Sequence, residues 1–295
     1  MITSPFLVGR DRYERVLDGW VDAMHEDAFT HTVTITDDDH SIELRVVCTP
    51  PPGYEVREAR ASIMAGPADP GIADRLSRLR GQRMVAGFTR RLADLCGPGT
   101  GSALFVDAGI EVARLARQVA RLPSDAMAEW EPGHALKSWH LDTTGWTDLP
   151  NSCFTYSAAG RALLGTRPVF TPMVAELYQA PVGSQRIFVR KRHSRLVLTA
   201  GRLHLFHSMH DNVHGFDVHY EVDLAGGKIM AADSITSRLP YQGICTEPQA
   251  RIADMVGQPA DALLRRKIQT VLGGEGGCAQ LYDVTADLLK LLEFA

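Results

Sequence analysis

"RIADMVGQPADALLRRKIQTVLGGEGGCAQLYD", residues 251–283, has a diverged copy 176 positions earlier, "RLSRLRGQRMVAGFTRRLADLCGPGTGSALFVD", residues 75–107. The two align without a gap. Nine of their thirty-three positions are identical, among them Gly81/Gly257, Gln82/Gln258, Arg90/Arg266, Gly101/Gly277 and Asp107/Asp283, where unrelated segments of ordinary composition share about two. Eight of the other pairs exchange one aliphatic or aromatic residue for another, Leu76/Ile252, Leu92/Ile268 and Phe105/Leu281 among them, as two equivalent packed faces require. Self-similarity of this kind marks a duplicated module.

The match extends upstream. "HSIELRVVCTPPPGYEVREARASI" (40–63) parallels "HGFDVHYEVDLAGGKIMAADSI" (214–235), with two residues added at the turn. Phe216, Val218, Tyr220 and Val222 alternate with Asp217, His219, Glu221 and Asp223, the period of a strand with one buried face. "LAGGK" and Ala200-Gly201 supply hairpin turns, because glycine accepts positive φ. Downstream, "PQARIADMVG" and "DALLRRKIQTVLGG" have helical spacing and end at glycine, and "CAQLYDVTADLLKLLEF" sets Leu281, Val284, Leu288 and Leu291 at helical intervals. The expected fold is α+β: two tandem pseudo-symmetric modules, each a small antiparallel sheet followed by about three helices. The first, degenerate module takes 1–120 and the second 185–295. Between them, 121–184 holds three of the four tryptophans (Trp130, Trp139, Trp146) and reads as an aromatic-rich connector over the seam or as a lid over a ligand pocket.

The 295 residues, 45% hydrophobic and 22% charged with a net charge of −4, describe a globular chain with no general attraction for nucleic acid. No apolar run reaches membrane-spanning length and the N-terminus lacks a secretory pattern, so a cytoplasmic protein is expected, as a monomer or homodimer. Cys48, Cys96, Cys153, Cys245 and Cys278 are odd in number and widely spaced, which suits free thiols. The one basic cluster, "RIFVRKRHSR" (186–195), reads as a solvated edge strand or as a contact for an anionic ligand.

At "PYQGIC" (240–245), "LGGEGGC" (272–278) and the leucine-rich helix that follows, the second module resembles a bacterial family known as domain of unknown function 2889. His214 matches that family's histidine before the strand, Cys245 and Cys278 its two cysteines, and "NSCFTYS" around Cys153 a decayed form of its last element. Gln280 and Phe154 stand where the family has histidines, and Ser102 replaces the cysteine in module one, so any shared site is altered here. A more distant, architectural likeness is to the IscU-type iron–sulfur scaffold fold and its SufE-like relatives. It implies that spaced ligands converge at one end of the sheet.

The candidate site follows from these residues. Cys278 follows "GGEGG" and begins a helix, where the dipole and free N–H groups favour a thiolate; Cys245 is brought close by the fold likeness. Of the five histidines in "HLFHSMHDNVHGFDVH" (204–219), His204 and His219 fall on the sheet surface. His207, His210 and His214 straddle a loop, where with Asp211 they could bind zinc or iron or pair with Cys278. "GPGTGS" (97–102) lacks the Lys-Ser/Thr of a phosphate loop and reads as a connection between helices, and Asp22 with His25 as an exposed acidic loop or part of a second site. The expected function is an enzyme of lyase, hydrolase or isomerase type acting on a small hydrophobic or aromatic molecule. Its catalytic residues are Cys278, His210, His214 and Cys245, with no cofactor or with one zinc or iron ion. The alternatives are a noncatalytic metal or iron–sulfur binding protein, with His207, His210, Asp211, His214, Cys245 and Cys278 as ligands, or an interaction scaffold.

Overall fold

The computed structural model describes residues 2–99 and 101–294. Its frame is one eight-stranded antiparallel sheet in the order β5-β4-β3-β2-β6-β7-β8-β9. β2 (Arg12–Ala23), β3 (Phe29–Asp37), β4 (Ser41–Cys48) and β5 (Val56–Ala65) form one meander; β6 (Ser184–Thr199), β7 (Arg202–Asp211), β8 (Gly215–Asp223) and β9 (Lys228–Arg238) form the other. The short β1 (Ile2–Thr3) and β10 (Glu293–Phe294) pair with each other. Where two small sheets were expected there is one, because β2 pairs with β6 from Arg12↔Val197 to Ala23↔Ser184.

Helices follow each meander: α1 (Ile72–Ser77), α2 (Phe88–Cys96) and α3 (Ser102–Leu115) after the first, and a 3₁₀ helix (Glu247–Met255), α7 (Leu264–Leu272) and α8 (Ala279–Leu289) after the second. The connector carries α4 (Ala135–Gly145), α5 (Ala158–Leu163) and α6 (Ala175–Tyr178). "PQARIADMVG" is thus the 3₁₀ segment and not an α-helix, with Pro248 near its start. "GPGTGS" joins α2 to α3 as expected, although Thr100 lies outside the described residues. Both predicted hairpin turns form: Ala200 and Gly201 adopt φ of 49° and 77°, and Gly227 closes the β8–β9 turn at 62°.

The basic cluster is not an edge strand. β6 is central, and alternation sends Arg190 and Arg192 to the helix-covered face, where each is under 4% exposed. Arg190 pairs with Asp211 at 2.7 Å and Glu111 at 3.1 Å; Arg192 pairs with Glu111 at 3.2 Å and with Asp287. α3 and α8 close the network over the sheet centre. Arg114 on α3 reaches Asp283 at 3.0 Å and Asp287 at 2.6 Å on α8, while Lys290 beyond α8 reaches Asp107 on α3 at 2.9 Å. Removing one member of such a buried network is strongly destabilising, because its partner keeps an uncompensated charge. The repeated pair Asp107/Asp283 is occupied in these ion pairs.

Candidate functional site

Strand alternation divides the histidine-rich stretch. β7 runs to Asp211, so His207 and His210 belong to a strand and point to opposite faces instead of sharing a loop. His207 is buried and hydrogen-bonded through Nδ1 to Ser194 Oγ at 2.8 Å, and burial together with nearby Arg192 holds its pKa down at about 3. His210, on the open face, meets Asp217 at 3.1 Å. His204 and His219 share that open face, as expected, with ring nitrogens 3.4 Å apart. Only the tight turn from Asp211 to Gly215 leaves the sheet.

That turn is built by Asp211. Its Oδ1 accepts from the Val213 and His214 N–H groups at 2.7 and 2.6 Å, and its backbone N–H donates to the His214 carbonyl at 2.8 Å. His214 Nδ1 lies 3.2 Å from the same carboxylate, whose pKa is held far below the usual range by His214 and Arg190 against the penalty of burial. Taking Nδ1 as the donor to this carboxylate leaves Nε2 as the basic nitrogen. The β3–β4 turn repeats the pattern: Asp37 Oδ1 accepts from the Asp39 and His40 N–H groups at 2.9 and 2.8 Å, and His40 Nδ1 lies 3.2 Å away.

His214 lines a cavity of ≈ 120 Å³ between the second meander, the start of α8 and the connector. Its walls are largely apolar, with Trp146, Leu149, Met173, Val213, Phe216 and Leu239, and three free cysteines, Cys153, Cys245 and Cys278, border it. Trp130 and Trp139 lie on a separate open groove with Lys137 and Arg161. The connector is pinned to the cavity by Phe154 N–H donating to Gly277 O at 2.8 Å, and by Cys245 Sγ 2.9 Å from Thr155 Oγ1.

Cys278 is the N-cap of α8 and accepts from the Leu281 N–H at 3.4 Å. The expected thiolate character is not what its surroundings favour, since desolvation outweighs the helix start and pushes the thiol up to about 11. Burial also raises Cys153 and Cys245. The proposed ligand set does not gather either. Among the described residues, the histidine, cysteine and acidic side chains that bring three ligand atoms within 4.8 Å of one another are Asp37, Asp39 and His40. His207 and His210 are carried away from Cys245 and Cys278 by the strand.

The cavity also holds a carboxyl group for which the sequence offered no signal. Asp142 on α4 is 1% exposed and accepts from Tyr178 at 2.9 Å on Oδ1, and from Tyr156 at 2.8 Å and Tyr241 on Oδ2. Desolvation raises its pKa to about 6 although all three hydroxyls stabilise the anion. Tyr241 stands in "PYQGIC" and Tyr156 in "NSCFTYS", two motifs already singled out for their cysteines. Nothing marked Asp142 in "WHLDTTGW", because its partners come from three separate segments.

The fold and cavity define an α+β protein with a partly open, mainly apolar pocket containing a buried carboxyl, an oriented imidazole and thiols. Residues 196–292 match the family described as a protein of unknown function (DUF2889), which supports that family for the segment carrying His214, Cys245 and Cys278. No curated protein and no solved structure matches the chain.

Proposed function

We propose that the chain is an enzyme of lyase, hydrolase or isomerase type that takes a small apolar or aromatic molecule into this cavity and acts on it by proton transfer. The observation that carries the reading is the presence of His214, Asp142 and the thiols on one mainly apolar pocket. Cavities of about 150 Å³ hold a benzene-sized guest, so this one suits a ligand of that order or slightly smaller. His214 is the proton-moving group, with Asp211 fixing its ring. Asp142 is the second acid–base or anchoring group. Cys278 and Cys245 are the sulfur groups the ligand meets, and His210, on the open face, takes no part.

His214→Ala and Cys278→Ala variants of the folded protein test the assignment against a panel of small aromatic and aliphatic compounds. Unchanged binding and turnover in both would sink it. A second reading, a metal or iron–sulfur carrier, has the three thiols on the cavity wall in its favour and their failure to bring three sulfur atoms within 4.8 Å of one another against it. Stoichiometric zinc or iron in anaerobically purified protein would move the weight there.

We infer also that the two halves are tandem, pseudo-symmetric modules, 1–120 and 185–295. Support comes from the aligned repeat, the matching Asp-x-x-His turns at 37–40 and 211–214, and the reciprocal pairs Asp107–Lys290 and Asp283–Arg114, in which Asp107 and Asp283, and Arg114 and Lys290, each stand 176 positions apart. An isologous dimer of a single module would produce such reciprocity.

A further inference from the structure

Asp142 is the unusual member of the cavity. Its three partners are phenols, Tyr156 from the turn at 154–156, Tyr178 from α6 and Tyr241 after β9, and no arginine, lysine or histidine forms an ion pair with it among the described residues. A buried carboxylate ordinarily has a cation beside it. The arginine that does line the cavity, Arg117, is turned to other partners: Nε donates to Asp148 at 2.7 Å, Nη1 to the Ala113 carbonyl at 2.7 Å and Nη2 to the Met84 carbonyl at 3.0 Å. His214 is tied to Asp211, itself paired with Arg190. The ionised pocket therefore carries one negative charge that the protein does not neutralise.

The acceptor count agrees. A carboxylate offers about four lone-pair sites, and the tyrosines fill three, two on Oδ2 and one on Oδ1. By that count Oδ1 has one lone-pair site left for a fourth donor. The neighbouring walls include the indole of Trp146 and the ring of Phe216, surfaces that attract a cation as well as an apolar group.

We propose that the molecule taken into this cavity is a small protonated amine with an apolar body, its ammonium group held by Asp142. The proposal rests on the reading of the cavity as a ligand site and adds the charge and donor character of the ligand. The amine supplies the missing cation and the fourth hydrogen bond, and its carbon skeleton covers the apolar wall. A carboxylate ligand is repelled by Asp142, and an alcohol of the same shape gains the packing without the charge.

Isothermal titration of the full chain at pH 7.5 with butylamine, 1-butanol and butyrate tests this. Butylamine is expected to bind at least about tenfold more tightly than 1-butanol, the scale of a hydrogen bond to a charged group, and butyrate more weakly than either. The amine's advantage shrinks between pH 7.5 and 5, where Asp142 takes up its proton while an alkylamine, with a pKa of about 10, stays charged. Asp142→Asn loses the preference for butylamine over 1-butanol and shows a flat amine affinity over that range. Equal binding of amine and alcohol by the native protein overturns the ammonium proposal and leaves the apolar ligand site standing; binding of none of the three overturns both. If the variant does not fold, the native comparison and its pH series decide the matter.

Discussion

Cys278 shows how two local effects compete at one atom. The first turn of a helix stabilises a thiolate by a fraction of a kcal/mol to about 2 kcal/mol, but removing the sulfur from water opposes ionisation more strongly, and the thiol ends near 11. Its alkylation by iodoacetamide at pH 8 is therefore expected to run at least about tenfold slower than that of a free cysteine thiol and to accelerate with rising pH; a peptide-mapped rate equal to the free thiol's would contradict this. Asp142 is displaced in the same direction by the same cause. With its folded pKa raised to about 6, the group contributes stability that is complete below its unfolded pKa of about 4 and disappears as pH rises through 6. Relative to Asp142→Asn, the native protein should gain roughly 1 kcal/mol in urea unfolding between pH 7.5 and 5. No pH dependence in that difference would refute the assignment.

At the scale of elements, position within a strand matters more than position in the sequence. Period-two alternation puts His207 and Asp211 under the helices and His210 outside, so neighbours in the chain are separated by the sheet. The start of α8 depends on a close approach instead. A Cβ on Gly277 would lie 2.1 Å from the Leu272 carbonyl oxygen, so Gly277→Ala must open the turn that sets Cys278 and holds Phe154. We expect a loss of about 3 kcal/mol or more in denaturant unfolding, with weakened ligand binding in whatever folds. The helix-to-helix seam is electrostatic. Arg190→Leu removes the buried guanidinium that Glu111 and Asp211 share, leaving Glu111 to Arg192 and Asp211 to His214, and the expected cost is about 3–5 kcal/mol; a change under 1 kcal/mol in the same assay would show that the remaining partners and water compensate the charge.

For the whole molecule, the β2·β6 pairing and the α3–α8 network make each half part of the other's interior. Residues 184–295 expressed alone lose Glu111, the acid shared by Arg190 and Arg192, and expose β6 as a long free edge. Circular dichroism and size-exclusion chromatography should find that fragment aggregated or loosely packed, and co-expression with 1–183 should restore a compact 1:1 complex. A stable, cooperatively unfolding fragment would overturn this account. The same coupling explains why so much of the site was hidden: Asp142 meets tyrosines distant in sequence, and no local pattern announces a contact between α4, α6 and the loop after β9.

The amino-acid order alone determined the hairpins at Ala200-Gly201 and "LAGGK", the alternation of β8, the helix begun by Cys278 and the α+β class, because turn chemistry and hydrophobic period act over a few neighbouring residues. It also marked His214, Cys245 and Cys278, through their resemblance to a family's motifs. Only the tertiary structure decided that the strands form a single sheet, that the arginines of β6 are buried, and that a carboxyl group on the connector faces the same cavity as the thiols. Those outcomes depend on which distant surfaces exclude water together, and burial at that range reverses what local charge and spacing would favour.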